Sequence, residues 1–307
     1  MQPKLCVNIG KLKLKNPVMV ASGTFGYGEE FKDFLSLKKL GAIVSKTITL
    51  KPRSGNIPPR TCETPSGMLN SIGLENPGIE KFIKDKLPVL KKAEVPVIVS
   101  IASENDPNEF VELIERLEKL SGVSAFELNI SCPNVKHSHV KGLIAQDSAA
   151  TFEIVQMARR ATSKTLITKL SPNVTDIVAI ACAAEEAGSD GLALVNTLTG
   201  MCIDVEKRIP KLGMAVGGLS GPALRPVAVR MVWETHKRIA IPIIGMGGII
   251  DTQSALEFIL AGACAVSVGT ANFINPMASL EIVNGIKQYL EKHRLSNINA
   301  LIGSVRA

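Results

Sequence analysis

Nowhere in the 307-residue chain is there a run of about eighteen apolar residues, and no charged-then-apolar leader opens it. Those absences exclude a helical membrane anchor and predict a soluble, cytoplasmic protein. The six cysteines (Cys6, Cys62, Cys132, Cys182, Cys202, Cys264) form no CxxC pair and no metal-ligand spacing. A metal centre is therefore not expected here, and any iron–sulfur cluster would belong to another chain. In a reducing compartment most of these thiols read as reduced core residues. Aromatic residues make up only 4%, and the lysines are spread along helices, so the net charge of +7 argues for small anionic ligands rather than nucleic acid.

What the chain does have is aliphatic content, with 46% hydrophobic residues, in strand-like runs alternating with helical patterns. Strands are predicted at Pro17–Ala21, Ala42–Lys46, Val97–Ile101, Ala125–Ile130, Leu166–Leu170, Leu192–Asn196, Pro242–Met246 and Ala265–Gly269. Helical patterns follow each, over Glu29–Leu40, Ile79–Lys92, Pro107–Leu120, Ser148–Thr162, Val174–Ala187, Arg225–Arg238, Thr252–Ala261 and Met277–His293. Eight such units in a chain of this length predict a closed (β/α)8 barrel, one domain over residues 1–307, rather than an open sheet. Long loops follow strands two (Thr47 to Pro77), four and six (reaching Pro222), so all lie on one face, where barrel enzymes hold their chemistry.

The fourth strand runs into Glu127-Leu-Asn-Ile-Ser-Cys-Pro-Asn134, where Pro133 breaks the ladder. Cys132 then sits on a loop among Asn129, Ser131 and Asn134, a setting unlike that of a buried structural cysteine. Asn70, Asn129, Asn134 and Asn196 are placed to converge on the same face, joined by Thr197. Side chains that both donate and accept suit a planar ligand edged with N–H and C=O groups, although asparagine also favours turns. Lys46 ends the second strand, where a lysine is either solvated or a placed cation for an anion, and Lys169 ends the fifth on the same rim. Gly73 would let backbone amides approach a ligand. Gly247-Gly248 after the seventh strand and Gly269-Thr270 after the eighth match a recurrent phosphate site of this fold. Gly23-Thr-Phe-Gly-Tyr-Gly28 has the wrong spacing for a dinucleotide fingerprint. His137 and His139 read as solvated, Trp233 and Phe258 as helix-face core, and Asp204 to Lys211 as a solvated loop.

Taken in order, Ser45-Lys-Thr47, Asn70-Ser-Ile-Gly-Leu74, Asn129-Ile-Ser-Cys-Pro-Asn134, Lys169-Leu-Ser-Pro-Asn173, Gly247-Gly248 and Gly269-Thr270 resemble dihydroorotate dehydrogenase over nearly the whole chain. Cysteine at position 132 matches class 1. Glu63–Asn70, Asn134–His137 and Ser171–Asp176 are more similar to class 1B than to the self-contained, fumarate-using class 1A. The resemblance implies FMN on this chain, and a partner subunit carrying FAD and a [2Fe–2S] cluster that passes electrons to NAD+. It implies a homodimer with one partner subunit on each copy, a heterotetramer, converting dihydroorotate to orotate in pyrimidine synthesis. Cys132 would be the base, with Lys46 beside flavin and substrate. Asn70, Asn129, Asn134, Asn196 and Thr197 would hold the pyrimidine, and Ser71, Ile72, Gly73 and Leu74 the carboxylate. Ser22, Lys46, Thr47, Ser100, Asn129, Lys169, Val195, Gly221, Gly247, Gly248, Gly269 and Thr270 match cofactor-contacting positions. Two departures stand out: Ser100 where relatives usually have asparagine, and Ser138-His-Val-Lys-Gly142 where a Gly-Gly is common. A dihydropyrimidine dehydrogenase-like reductase shares the barrel and a related cysteine loop, but Lys46 and Met68–Leu74 favour a carboxylated substrate. A non-catalytic binding barrel would have no need of Cys132 with two placed lysines.

Overall fold

Eight short, almost wholly buried strands close on one another in the computed structural model, which describes residues 2–104, 106–131 and 144–306. They are β1 (Val18–Val20), β2 (Ala42–Val44), β3 (Val97–Ile101), β4 (Ala125–Asn129), β5 (Thr165–Lys169), β6 (Gly191–Leu194), β7 (Ile243–Met246) and β8 (Ala263–Val268). All neighbours are parallel, and β8 pairs with β1 through Val266↔Val18 to complete the barrel. Helices cover the outside, so both faces of each strand are dry; the β3 sequence Val-Ile-Val-Ser-Ile is buried at every position. The expected (β/α)8 barrel is the observed fold.

Side-chain caps start several helices. Asp147 accepts from the N–H groups of Ala149 and Ala150 to open Ser148–Ala161, and Asp176 does the same for Ile177–Glu186. Asp251 and Ser254 form a reciprocal capping box before Thr252–Ala261, which Gly262 ends at φ +127°.

Three expectations need correction. The helix predicted over Glu29–Leu40 is two isolated 3-10 turns, Glu29–Phe31 and Leu37–Lys39. Phe31 stacks on Phe25 with centroids 4.0 Å apart, and Ser36 is extended, so tertiary packing overrides the helical period. The long loops after β2 and β6 are not structureless: they contribute Thr61–Thr64, Gly67–Asn70, Leu198–Met201 and Val216–Ser220 to one antiparallel sheet. In that sheet Asn70 pairs with Gly218, bringing the two excursions together over the barrel mouth. Lastly, the stretch from Asp204 to Lys211 is not wholly a loop, because Ile203–Asp204 and Ile209–Pro210 pair as a small hairpin with both isoleucines half exposed.

A hairpin that the sequence pattern did not reveal, Val7–Ile9 with Leu12–Leu14, closes the opposite end of the barrel. Its backbone is tied to the start of β5, where Thr165 receives the Lys11 N–H at 3.1 Å and donates to the Ile9 carbonyl. That plug leaves the carboxyl ends of the strands as the open face.

Candidate active site

The open face carries a cleft with two connected lobes, about 480 and 680 Å³. Ser22, Lys169, Asn196, Thr197, Ser220 and Thr270 border both, so they mark the junction. The antiparallel sheet roofs the first lobe, and the β7 and β8 loops wall the second.

Along the floor runs a continuous belt of buried and part-buried hydrogen bonds. Thr47 Oγ1 lies 2.9 Å from Ser22 Oγ, 2.9 Å from Ser100 Oγ and 3.0 Å from Asn129 Nδ2, which donates to it. Ser131 Oγ donates to Asn129 Oδ1 at 3.1 Å and receives Asn196 Nδ2 at 2.9 Å. Asn196 Oδ1 in turn accepts the Thr197 N–H at 2.8 Å. The belt thus joins groups at the ends of β1, β2, β3, β4 and β6. It fixes the orientation of each amide, and because an amide nitrogen carries two N–H groups and its oxygen two lone pairs, each atom tied once keeps one position for a ligand. Asn70 is set from the roof, donating to the Gly218 carbonyl at 3.3 Å.

Each end of the cleft is built to receive negative charge. In the first lobe, the carbonyls of Ile72, Gly73 and Leu74 accept from Asn56, Arg53 and Asn76 respectively. No group among the described residues accepts from their N–H groups, and all three residues line the lobe. Gly73 and Leu74 both have positive φ, +77° and +56°, the kind of backbone that gathers amides into an anion-binding nest. Ser71 is 3% exposed, with a buried hydroxyl that has no protein partner. Lys46 lines the same lobe without a carboxylate partner among the described residues. In the second lobe Gly247 and Gly248 take φ +123° and +78°, and a Cβ on Gly248 would lie 2.7 Å from the Gly221 carbonyl oxygen. Only glycine permits that approach, which frees the backbone to wrap an anion. Thr270 Oγ1 donates to Ser220 Oγ at 2.8 Å, holding the β8 loop against the roof.

Lys169 stands at the junction. It is 5% exposed, and no carboxylate pairs with it among the described residues. A buried cation without a protein counter-charge implies that a bound group supplies one. Glycine cradle, buried lysine and unpartnered Ser71 and Ser267 hydroxyls together fit a phosphorylated cofactor in this cleft.

Of the residues named from sequence, Lys46, Thr47, Asn70, Ser71, Ile72, Gly73, Leu74 and Asn129 line the first lobe, with Ser22, Lys169, Asn196 and Thr197 shared. Val195, Gly221, Gly247, Gly248, Gly269 and Thr270 line the second. Ser100 does not reach either lobe: it is fully buried behind Thr47 and acts on the cleft through that hydroxyl. Cys132 and Asn134 lie outside the described residues, as do His137, His139 and the Ser138–Gly142 stretch. Ser131 stands out from sequence only as a polar neighbour of Cys132, with no role of its own, and Ser220 does not stand out. Their neighbours Cys132 and Gly221 do, and the polar density around both positions is the available signal.

A closed (β/α)8 barrel with positive-φ glycines at the end of its seventh strand and a deep polar cleft at the carboxyl ends of its strands has the build of an enzyme of the (β/α)8 class. The family model for dihydroorotate dehydrogenase matches residues 4–290, and the chain belongs to that family. It is 53% identical over 305 residues to a protein of Geotalea daltonii named dihydroorotate dehydrogenase B (NAD(+)), catalytic subunit, covering 99% of each chain. Proteins of the same name from Trichlorobacter lovleyi and Desulforamulus reducens are 52% and 53% identical, each with 99% coverage on both sides. Among the described residues no helix is long and apolar enough to cross a membrane.

Proposed function

We propose that the chain is the FMN-bearing catalytic subunit of an NAD+-linked dihydroorotate dehydrogenase, converting dihydroorotate to orotate in the cytoplasm. The carrying observation is the junction at Lys169, where a buried cation separates a nest for a carboxylate from a cradle for a phosphate. When bound, FMN supplies the hydride acceptor. The chain's own residues do the rest. Gly221, Gly247, Gly248, Gly269 and Thr270 would hold the FMN phosphate, and Ser22, Thr47, Lys169 and Val195 would position its ring system. The Lys169 cation would favour negative charge on the bound ring system. The Ile72–Leu74 amides and Lys46 take the substrate carboxylate, and Asn70, Asn129, Asn134, Asn196 and Thr197 orient its ring.

Removing the ring proton falls to Cys132, the residue after Ser131 in the belt. A thiol with an ordinary pKa near ~8.5 is only a few per cent ionised at neutral pH, so flavin reduction should speed up as pH rises. The names of the relatives favour a partner subunit and NAD+ over fumarate; in this reading FAD and the [2Fe–2S] cluster sit on that partner, with the catalytic chains paired as a homodimer.

The test is anaerobic. Dihydroorotate is added to the purified, FMN-loaded chain, the flavin spectrum is followed, and NAD+ and fumarate are tried as oxidants. The expected result is bleaching that neither oxidant reverses without the partner subunit. Rapid recovery with fumarate would make the chain self-contained, and a well-folded flavoprotein that dihydroorotate does not bleach would overturn the substrate.

A further inference from the structure

The nest at Ile72–Leu74 is braced from behind by a second layer of chain. Residues 53–60 of the loop after β2 run along the back of residues 71–76. Arg53 and Asn76 exchange backbone hydrogen bonds at 2.9 and 3.1 Å, and Ser71 N–H donates to the Arg60 carbonyl at 2.8 Å. A Cβ on Gly55 would lie 2.5 Å from the Ile72 carbonyl oxygen, so the two stretches meet backbone to backbone. The three donors that hold the nest carbonyls differ in charge. Asn56 offers a main-chain N–H to Ile72 at 3.0 Å and Asn76 a side-chain amide to Leu74 at 2.7 Å, both neutral. Arg53 brings a guanidinium, whose Nε donates to the Gly73 carbonyl at 3.2 Å.

The Gly73 carbonyl and the Leu74 N–H belong to one planar peptide group and point opposite ways across it. A cation on the oxygen polarises the whole group and makes the N–H on the far side a stronger donor. The cation is itself held in place: Arg53 Nη1 pairs with Glu104 Oε2 at 3.0 Å, both side chains about a quarter exposed. Glu104 lies beyond β3, and its own N–H donates to the carboxylate of Glu109, in the first turn of Asn108–Glu118. Arg53 lines neither lobe, so it acts on a ligand only through the nest.

We propose that Arg53 is a positioning residue for the nest, fixing the Gly73–Leu74 peptide and strengthening its N–H for a carboxylate. The proposal rests on the reading of this lobe as the site of the substrate carboxylate. That group keeps its charge throughout the reaction, so a donor to it binds ground state and transition state alike.

The experiment follows anaerobic flavin reduction in the full-length, FMN-loaded chain over a range of dihydroorotate concentrations, which separates the substrate Kd from the limiting rate. Arg53→Met keeps an unbranched stem and removes the charge. It should raise Kd about tenfold and leave the limiting rate within about twofold of the parent. Arg53→Lys, which keeps a cation behind the nest, should fall between the two in Kd. A brace that merely held the roof in shape would move the limiting rate in step with Kd, because a displaced roof misplaces the reacting ring. That result would overturn the proposal, as would an unchanged Kd in Arg53→Met or an equal loss in the lysine and methionine variants. A parent flavin that dihydroorotate does not reduce would instead overturn the substrate reading, and the proposal with it.

Discussion

Removing the Thr47 hydroxyl is the most direct test of the belt. In Thr47→Val the side-chain volume is kept, so no cavity opens and the change is almost purely polar. Thr47 is 4% exposed, and its Oγ1 is the hub for Ser22, Ser100 and Asn129. Ser22 faces the cleft and can turn to water. Ser100 is fully buried, and its Oγ has Thr47 as its described partner; the Asn129 amide nitrogen is in the same position. Valine therefore orphans two buried groups at roughly 1–2 kcal/mol each, and we expect a loss of about 2–4 kcal/mol in total. For a chain of this size that corresponds to a fall of roughly 3–6 °C in Tm. Freed from Thr47, Asn129 can rotate, so ligand binding should weaken by about tenfold, the equivalent of one hydrogen bond of ~1.4 kcal/mol. Thr47→Ser keeps the hydroxyl and should stay within about 1 kcal/mol of the parent. Urea unfolding and orotate titration of the three proteins provide the comparison. If Thr47→Val unfolds within ~0.5 kcal/mol of the parent, the belt does not hold the floor and the reasoning fails.

Lys169→Met should act in opposite directions on the two forms of the protein. Without flavin it removes a buried cation that has no protein counter-charge and raises Tm, whereas FMN affinity, read by fluorescence titration, drops by roughly 10–100-fold. Gly248→Ala forces a Cβ to 2.7 Å from the Gly221 carbonyl at φ +78°, which should cost about 1–3 kcal/mol and release the flavin on dialysis. Cys264 provides an alkaline signal. Burial pushes its thiol from 9.0 up to about 12, so its contribution to stability is complete below pH 9 and is lost as pH rises from there towards 12. Cys264→Ala should flatten that part of the stability curve. At Asp251 burial raises the carboxyl's pKa, but the Ser254 N–H and hydroxyl and nearby Arg225 outweigh it and leave a net lowering. Asp251→Ala should accordingly cost about 1 kcal/mol at neutral pH, and the difference should shrink as pH falls through the depressed value.

The barrel was legible because each strand is buried on both faces and punctuated by glycine, proline or a capping aspartate, signals that act within a few residues. Val97–Ile101 and Thr252–Ala261 fall where the pattern puts them. The cradle was legible for a similar reason: Gly247-Gly248 and Gly269-Thr270 are local features at strand ends. The roof was not, since Asn70 finds its partner in Gly218, and nothing in a window around either residue encodes the other. The plug hairpin at Val7–Leu14 was too short to show a period. Ser100 is instructive in another way: its position at a strand end was readable, but not that its hydroxyl would be spent on Thr47 behind the cleft surface.

The roof also has a consequence for synthesis. A ribosome makes residues 61–70 long before it makes 216–220, yet the inner strands of the sheet need both. Until the chain has passed Ser220, Gly67–Asn70 has only Thr61–Thr64 to pair with, and its other edge stays open. Such a long-range pairing is slow to form and leaves an open edge available to neighbouring chains meanwhile. A nascent chain stopped before the sixth barrel strand would thus carry half a roof and no cleft, so ligand capture by stalled chains dates the moment at which the two excursions meet.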